Sequence, residues 1–332
     1  MKKIIIFVLS ALIFSLSLTG CGKNKGDNTI RVNEVTDSFF YAPFYLAIEK
    51  GFFEEEGLKI ELTNGGGSDV SMTALLSNNA DVILEGPETV CYIARQNKQD
   101  SPKIFAQLTK RDGCFLIGRN PEPNFSWDNL KNKEVIIGRK GGLPAMTFEY
   151  TVKNLGFTSN DITLRTDIQF PLMGPTFDGG TGDYVTLFEP TATEFVSQGK
   201  GYIVASVGEK SGEIPYTSFI ALDSYLNNNS EKVEKFVRAL YKALDYIKKE
   251  SSTKVAEYLV LHFNGSKVEE TAKSLDNYKK VDTWMTNMSL PESMFNKLID
   301  VITSAGEDVS TVKYSNVVNN TFSEKVYKEF LN

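Results

Sequence analysis

The stretch IRVNEVTDSFFYAPFYLAIEKGFFEEEGLKIEL, residues 30–62, decides the fold class. Apolar residues at 30 and 32, followed by one at 35, predict a strand at 30–35, and apolar residues at every second position predict another at 58–62. Between them, Pro43 suits the first turn of a helix and Gly51 the residue just after its end. Strand, helix and strand in this order are the repeating unit of an α/β fold with mainly parallel sheets.

The same alternation continues along the chain. Further strands are predicted at 81–84, 104–108, 114–117, 135–137, 184–188 and 203–205, and helices at 70–76, 88–96 and 143–155. The Asp112-Gly113 pair predicts a hairpin between two of these strands. From residue 233 the apolar positions follow a 3.6-residue period, so the C-terminal third is predicted to be helices that cover the first domain.

Two domains are expected, because roughly 300 residues are more than one core usually serves. Proline-rich residues 121–124 are interpreted as a crossing into the second domain, and 214–216 as the return. The predicted division is 30–119 for the first part of lobe 1, 120–208 for lobe 2, and 209–332 for the rest of lobe 1 with the C-terminal helices. Two crossings between the same two domains suggest a hinged clamshell.

The N-terminus has the features of a secretory signal. Two lysines precede an apolar run over residues 4–18, which is shorter than the roughly 20 residues that span a bilayer. Residues 18–21, LTGC, resemble the lipobox of bacterial lipoproteins, which implies cleavage after residue 20 and a lipidated Cys21. Residues 21–29 would then be a flexible tether. An uncleaved anchor helix and an ordinary signal with a chance cysteine are the alternatives.

Composition excludes some functions. The formal net charge is -6 and no basic run is present, which argues against a nucleic-acid partner. Cys91 and Cys114 could form a disulfide outside the cytoplasm or remain two buried thiols, and their spacing does not decide between these.

Four loops that follow strands and precede helices are the candidate binding loops, at 37–41, 65–69, 86–89 and 140–146. In open α/β sheets, ligands bind outside the carboxyl ends of the strands, where helix N-termini offer free N–H groups. Phe40 or Tyr41 could stack on a flat ring while Ser38 donates a hydrogen bond. The alternative for these aromatic residues is packing in the core.

Two features point to different ligands. Arg139 and Lys140 precede Gly141 and Gly142 at a predicted helix start, a combination that suits an anion. Glu189 follows a predicted strand, and its carboxylate could accept a hydrogen bond from an amino or amide group of a ligand. Arg139 and Lys140 could instead be solvated surface residues, and Glu189 could simply complement a helix dipole.

No enzyme motif is present. The sequence has one histidine, His262, in an apolar segment that predicts packing, and it has no metal-binding spacing, P-loop or nucleophile elbow.

The chain resembles the substrate-binding proteins for nitrate, sulfonates and thiamine precursors, here called the NMT1-like and SsuA/TauA-like group. The resemblance rests on DSFFYAPFYLAIEKGFF at 37–53, EGL at 56–58, GGGSD at 65–69, ADV at 80–82, GPE at 86–88, LKNK at 130–133, GRKGG at 138–142, FEPT at 188–191 and GEIPY at 212–216. It implies a type II periplasmic-binding fold with the ligand between two lobes. The ligand contacts that it implies, together with those expected from the loops, are Ser38, Phe40, Tyr41, Ser68, Pro87, Glu88, Thr89, Gly141, Gly142, Leu143 and Glu189.

The resemblance also implies a role. The protein would be a monomer outside the cytoplasm, held at the membrane by Cys21, without a cofactor. It would capture a small molecule by hinge closure and deliver it to an ABC permease with its ATPase. A thiamine pyrimidine precursor or related heterocycle is the favoured ligand, and a sulfonate, taurine or nitrate is the alternative. A sensory ligand-binding module is a second alternative role. A pyrimidine-forming enzyme of the same superfamily uses an active-site histidine, which the candidate loops lack.

Overall fold

A computed structural model describes residues 28–96, 100–263 and 265–331. The predicted signal segment, Cys21 and most of the predicted tether lie outside the described residues. Within those ranges, no helix combines the length and the apolar character that a membrane span requires.

The first sheet has five strands in the order β2-β1-β3-β10-β4. Its strands are β1 (Thr29–Glu34), β2 (Lys59–Asn64), β3 (Val82–Glu85), β4 (Pro102–Thr109) and β10 (Thr217–Leu222). β1 lies parallel to β2 and β3, with Ile30 opposite Ile60, whereas β10 runs antiparallel to β3 and β4. The strand–helix–strand unit predicted at 30–62 is therefore present, with both strands parallel.

The second sheet also has five strands, in the order β7-β6-β8-β5-β9. They are β5 (Phe115–Gly118), β6 (Lys133–Ile136), β7 (Ile162–Arg165), β8 (Tyr184–Leu187) and β9 (Tyr202–Ser206). β6 is parallel to β7 and β8, and β5 is antiparallel to β8 and β9. Two such sheets with their helices, here called lobe 1 and lobe 2, confirm the predicted α/β class.

The hairpin predicted at Asp112-Gly113 is wrong. β4 belongs to the first sheet and β5 to the second, so residues 110–114 cross between the lobes. Glycine is needed here for close approach, because a Cβ on Gly113 would lie 2.5 Å from the Phe40 ring. The Asp112 carboxylate accepts a hydrogen bond from the Cys114 N–H at 2.7 Å, which shapes the crossing.

The first crossing consequently lies before the predicted boundary at 119/120. Residues 121–124 lie inside lobe 2, where Glu122 accepts a hydrogen bond from the Tyr184 hydroxyl at 2.7 Å. The return crossing runs alongside the first one. The N–H of Ile214 donates to the Lys110 carbonyl at 2.9 Å, and that of Tyr216 to the Thr109 carbonyl at 3.2 Å.

Helices of each lobe cover the sheet faces. Lobe 1 has α1 (Ala42–Glu49), α2 (Phe52–Glu55), α3 (Ser68–Leu76) and α4 (Glu88–Ala94), and lobe 2 has α5 (Leu143–Asn154), α6 (Met173–Asp178), α7 (Thr191–Ser197) and α8 (Val207–Ser211). Pro43 lies in the first turn of α1, and Gly51 follows the helix with φ of 76°, a conformation that glycine adopts without strain.

The remaining chain is helical, as predicted. It forms α9 (Asp223–Asn228), α10 (Ser230–Lys249), α11 (Ser252–His262), α12 (Val268–Lys280), α13 (Glu292–Ser304), α14 (Tyr314–Val317) and α15 (Thr321–Leu331). Most of these helices pack on lobe 1, where Arg238 of α10 pairs with Glu56 at 3.1 Å and with Glu329 at 2.7 Å. α13 instead reaches lobe 2, where Lys297 donates to the Tyr150 hydroxyl at 2.7 Å.

Phe44 occupies the centre of the lobe 1 core. It is fully buried, and its ring centroid lies 5.9 Å from that of Phe53, 5.6 Å from Phe219 and 6.3 Å from Phe236. These rings come from α1, α2, β10 and α10, so the Phe44 side chain packs residues 30–62 against the C-terminal part of the chain.

The cysteines and the histidine have structural environments. Cys91 and Cys114 are both buried free thiols, so the described protein has no disulfide between them. His262 stacks on Tyr45 with ring centroids 4.3 Å apart and contacts Glu49, which agrees with the predicted packing role.

Candidate functional site

A cavity of about 160 Å³ lies between the lobes, beside the crossings. Its floor is at the carboxyl ends of β1 and β3 and its roof at the start of α5, which is where open α/β sheets bind ligands. The residues that line it are Val35, Thr36, Ser38, Phe40, Tyr41, Gly66, Gly67, Ser68, Gly86, Glu88, Gly138, Arg139, Gly142, Leu143, Pro144, Gln169, Phe170, Pro171, Phe188, Tyr216 and Thr217.

The structure places most of the predicted contact residues on this wall. Those that line the cavity are Ser38, Phe40, Tyr41, Ser68, Glu88, Gly142 and Leu143. The four that do not are Pro87, Thr89, Gly141 and Glu189. Each of the four predicted loops contributes at least one residue to the cavity wall, although individual residues differ from those predicted.

Three of the residues that do not line the cavity have structural roles instead. Pro87 is the N-cap residue of α4. The Thr89 hydroxyl donates to the Glu85 carboxylate and lies 2.9 Å from the Gly86 carbonyl. The Gly141 carbonyl accepts from the Tyr92 hydroxyl at 3.2 Å.

The predicted ligand role of the Glu189 carboxylate is corrected by its hydrogen bonds. Its side chain is fully buried, away from the cavity wall. Both carboxylate oxygens already accept from the protein: from the N–H and hydroxyl of Thr193 at 2.9 Å each, from Ser274 Oγ at 3.1 Å and from Asn277 Nδ2 at 2.7 Å. No acceptor is left to meet a ligand.

Aromatic rings form much of the cavity wall. Phe40 lies at the centre of this group, with its ring centroid 5.4 Å from Phe188 and 5.6 Å from Tyr216. Phe170 adds a further ring, 5.6 Å from Phe188. Phe40 and Tyr216 are almost fully buried, so both rings pack in the core, and both also line the cavity.

Glu88 is the buried acid of the cavity wall. Its side chain comes from the first residue of α4, and its Oε1 accepts from the Leu143 N–H of lobe 2 at 3.3 Å. Among the described residues its Oε2 has no hydrogen-bond partner. Gly86 makes room for this carboxylate, because a Cβ there would lie 2.1 Å from Oε2. Glu88 therefore has one carboxylate oxygen that is buried beside Gly86 without a hydrogen-bond partner among the described residues.

Two more buried acids lie close by. The Tyr45 hydroxyl donates to Glu34 at 2.5 Å, and Glu85 accepts from Thr89. Burial raises the pKa of Glu34 to about 9 and that of Glu88 to about 7, and it raises the pKa of Glu85 well above its usual range. Since desolvation opposes the charged form, each of these acids gains from a hydrogen-bond donor.

The Arg139 side chain and the N-terminus of α5 both contact carboxylates of the protein itself. Arg139, which lines the cavity, pairs with Asp69 of lobe 1 at 3.2 Å. The first N–H of α5, that of Leu143, already donates to Glu88. An anion at this helix start would have to displace one carboxylate and approach another.

The same contacts join the lobes. Arg139 to Asp69, Leu143 to Glu88 and Tyr92 to Gly141 each connect a residue of lobe 1 with one of lobe 2 around the cavity. These three contacts hold the two lobes together beside the cavity.

The buried charge of Glu88 makes a prediction about stability. Because its folded pKa of about 7 exceeds the ordinary value of 4.5, the folded protein holds the extra proton and stability falls as pH rises from about 4.5 through 7. Glu88→Gln keeps the shape and removes this penalty. We expect the variant to exceed the wild type by less than about 1 kcal/mol at pH 5 and by up to about 3 kcal/mol at pH 8 in urea denaturation.

Glu34 and Glu85 are present in both proteins, so the pH-dependent difference between them comes from Glu88 and from its charge effect on Glu85. Glu292→Gln, at the exposed first residue of α13, is the control and should show no such change between pH 5 and pH 8. An equal difference between Glu88→Gln and wild type at both pH values would contradict the assigned environment.

Several wall residues were not predicted. Gln169, Phe170 and Pro171 follow β7, a strand that the short sequence ITLR at 162–165 did not reveal. Recognising that strand would have placed the next loop at a carboxyl end. Tyr216 and Thr217 belong to the return crossing, which was interpreted only as a hinge.

Comparisons with known proteins agree with this architecture. A match to the family described as NMT1/THI5 like spans residues 38–252. The protein YtlA of Bacillus subtilis (strain 168), named as a candidate binding protein, is 38% identical over 322 residues, which are 97% of this chain and 96% of YtlA. The chain belongs to the NMT1/THI5-like family.

Two other similarities are informative. The 4-amino-5-hydroxymethyl-2-methylpyrimidine phosphate synthase of Aspergillus parasiticus is 26% identical over 234 residues, 66% of each chain. The alkanesulfonate-binding protein SsuA of Xanthomonas axonopodis pv. citri, bound to MOPS, has a TM-score of 0.70 at 14% identity, over 89% of this chain and 99% of SsuA. The second likeness shows the periplasmic-binding fold.

The family match and the likeness to YtlA establish the family, and the likeness to SsuA establishes the fold. His262 does not line the cavity and stacks on Tyr45.

Proposed function

We propose that this protein binds a single-ring heteroaromatic molecule that carries an amino group, and that 4-amino-5-hydroxymethyl-2-methylpyrimidine is the compound to test first. The observation that carries the proposal is Glu88, a buried carboxylate on the wall of a small aromatic cavity with one oxygen unpartnered among the described residues. An exocyclic amine would donate to that oxygen and stabilise the charged form of the acid.

The size of the cavity supports one ring. A cavity of about 160 Å³ is close to the roughly 150 Å³ of an apolar cavity that binds benzene. A substituted pyrimidine fits this volume, whereas a three-ring flavin does not. Phe40, Tyr41 and Phe188 supply the aromatic surfaces on which a flat ring can stack.

The charges support a donor ligand over an anion. Arg139 is paired with Asp69, and the first N–H of α5 is paired with Glu88. Glu34 and Glu85 are close enough to Tyr41, on the cavity wall, to raise its pKa. A sulfonate, taurine or nitrate would enter next to these acids without a free cation on the described cavity wall. The phosphate ester of the pyrimidine would meet the same obstacle, so the proposal is the unphosphorylated compound.

The relatives support the ligand class indirectly. The Aspergillus relative synthesises a phosphate of the same pyrimidine, as its name states, and the family bears a related name. The proposed role is that of the substrate-binding component of an ABC importer. The protein would capture its ligand outside the cytoplasmic membrane as a monomer, and a lipid on Cys21 would hold it near its permease.

A thermal-shift panel tests the proposal. Residues 28–332 would be heated with 4-amino-5-hydroxymethyl-2-methylpyrimidine, taurine, MOPS and nitrate. A ligand at about 100 times its dissociation constant stabilises the folded state by about 2.7 kcal/mol, which raises the melting temperature by several degrees. We expect this shift with the pyrimidine and not with the three anions.

A shift with MOPS or taurine alone would contradict the proposed ligand class and favour the sulfonate alternative. Co-purification with a permease from the native membrane separates transport from a sensory role, because a sensory module would bind the same ligand without that partner.

A further inference from the structure

Glu189 is positioned to hold the ligand loop, here defined as Ser38–Tyr41, although it does not line the cavity. Its backbone carbonyl accepts from the Ser38 hydroxyl at 2.8 Å and from the Phe39 N–H at 3.3 Å. Ser38 lines the cavity directly. A residue of lobe 2 thus fixes the part of lobe 1 that faces the ligand.

The side chain and N–H of Glu189 are themselves anchored on α12. Ser274 and Asn277 donate to its carboxylate at 3.1 and 2.7 Å, and its N–H donates to the Tyr278 hydroxyl at 2.9 Å. Every one of these partners is buried or half-buried. The carboxylate is held by four donors, an arrangement that fixes its orientation and offsets the cost of its burial.

The last turns of α12 and the segment that follows it pack against the same loop. The Tyr278 ring lies 5.4 Å from the Phe40 ring, and the Trp284 indole N–H donates to the Phe40 carbonyl at 2.9 Å. Residues 274–284 lie beyond the family match, which ends at residue 252. The C-terminal helices therefore do more than cover lobe 1.

We propose that Glu189 is a positioning residue for ligand capture: through its carboxylate it ties α12 to the loop Ser38–Tyr41 and keeps that loop in its binding conformation. The inference rests on the proposed function only for the choice of ligand. Loss of the carboxylate would reduce the fraction of molecules whose loop is in the binding conformation. The apparent affinity would fall in proportion to that fraction, although no ligand contact is removed.

The first test needs no ligand. The sequence has two tryptophans, so Trp127→Phe leaves Trp284 as the one reporter beside Phe40. In this background, Glu189→Ala should shift the Trp284 emission maximum. The Trp284 indole N–H donates to the Phe40 carbonyl, and the substitution removes the carboxylate that ties the loop of Phe40 to α12. Glu194→Ala, an exposed acid of the same α7 helix, is the matched control and should leave the emission unchanged. An unchanged emission in Glu189→Ala would overturn the proposal.

The second test is a double-mutant cycle with 4-amino-5-hydroxymethyl-2-methylpyrimidine. We expect Glu189→Ala to weaken binding at least tenfold, Glu189→Gln to restore most of the affinity, and Ser38→Ala to add little to Glu189→Ala, because coupled residues are not additive. Fully additive losses would overturn the coupling. If the pyrimidine does not bind the wild type, the proposed ligand fails while the tryptophan result still judges Glu189.

Discussion

Glu88→Ala is expected to weaken the binding of 4-amino-5-hydroxymethyl-2-methylpyrimidine roughly 30- to 150-fold. A hydrogen bond to a charged group contributes about 2–3 kcal/mol, and each 1.4 kcal/mol is a factor of ten in affinity. Glu88 also accepts from the Leu143 N–H, so its loss removes a contact that closes the lobes. Isothermal titration calorimetry of the wild type and variant at pH 7.5 measures the change.

Two further variants separate charge from shape. Glu88→Gln preserves the volume of the side chain and should lose less affinity than Glu88→Ala, because its amide oxygen still accepts. Glu292→Ala replaces an exposed glutamate that is the first residue of α13, as Glu88 is of α4, and should bind like the wild type. Wild-type affinity in Glu88→Ala would remove Glu88 from the site.

Phe44→Ala is expected to lower the free energy of unfolding by about 3–5 kcal/mol. Truncation of a fully buried phenylalanine loses its transfer free energy and leaves a cavity that the surrounding rings fill only in part. Phe53, Phe219 and Phe236 all contact this ring, and they come from distant parts of the chain. Urea denaturation followed by circular dichroism gives the value.

The matched control for Phe44→Ala is Leu261→Ala, at an apolar residue that is 64% exposed on α11. A surface truncation of this kind changes stability by no more than about 0.5 kcal/mol. Equal effects of the two substitutions would show that α1 does not hold the centre of the lobe 1 core.

The fold was largely predictable because its signals are local. Alternation at 30–35 and 58–62, the proline in the first turn of α1 and the glycine after it each act over a few residues, and the structure contains all of them. The crossing was missed for the opposite reason. Asp112-Gly113 has the composition of a turn, but Gly113 is required because the Phe40 ring, distant in sequence, lies against it.

The candidate site was predictable as loops but less so as side chains. Loops after strands converge on one cavity because parallel strands end at one edge. Whether a side chain faces that cavity depends on tertiary partners. Glu189 has the position of a ligand acceptor in sequence, yet Ser274 and Asn277, about 85 residues later, take its oxygens. Glu88 remains in the cavity because Gly86 leaves space for it.

The most direct test of the account is a crystal structure of the protein grown with 4-amino-5-hydroxymethyl-2-methylpyrimidine. We predict the ring between the lobes, stacked against the aromatic wall near Phe40 and Tyr41, with its exocyclic amine within hydrogen-bond distance of the Glu88 carboxylate. A ring bound outside this cavity, or one inside it with the amine turned away from Glu88, would show that Glu88 does not recognise the ligand.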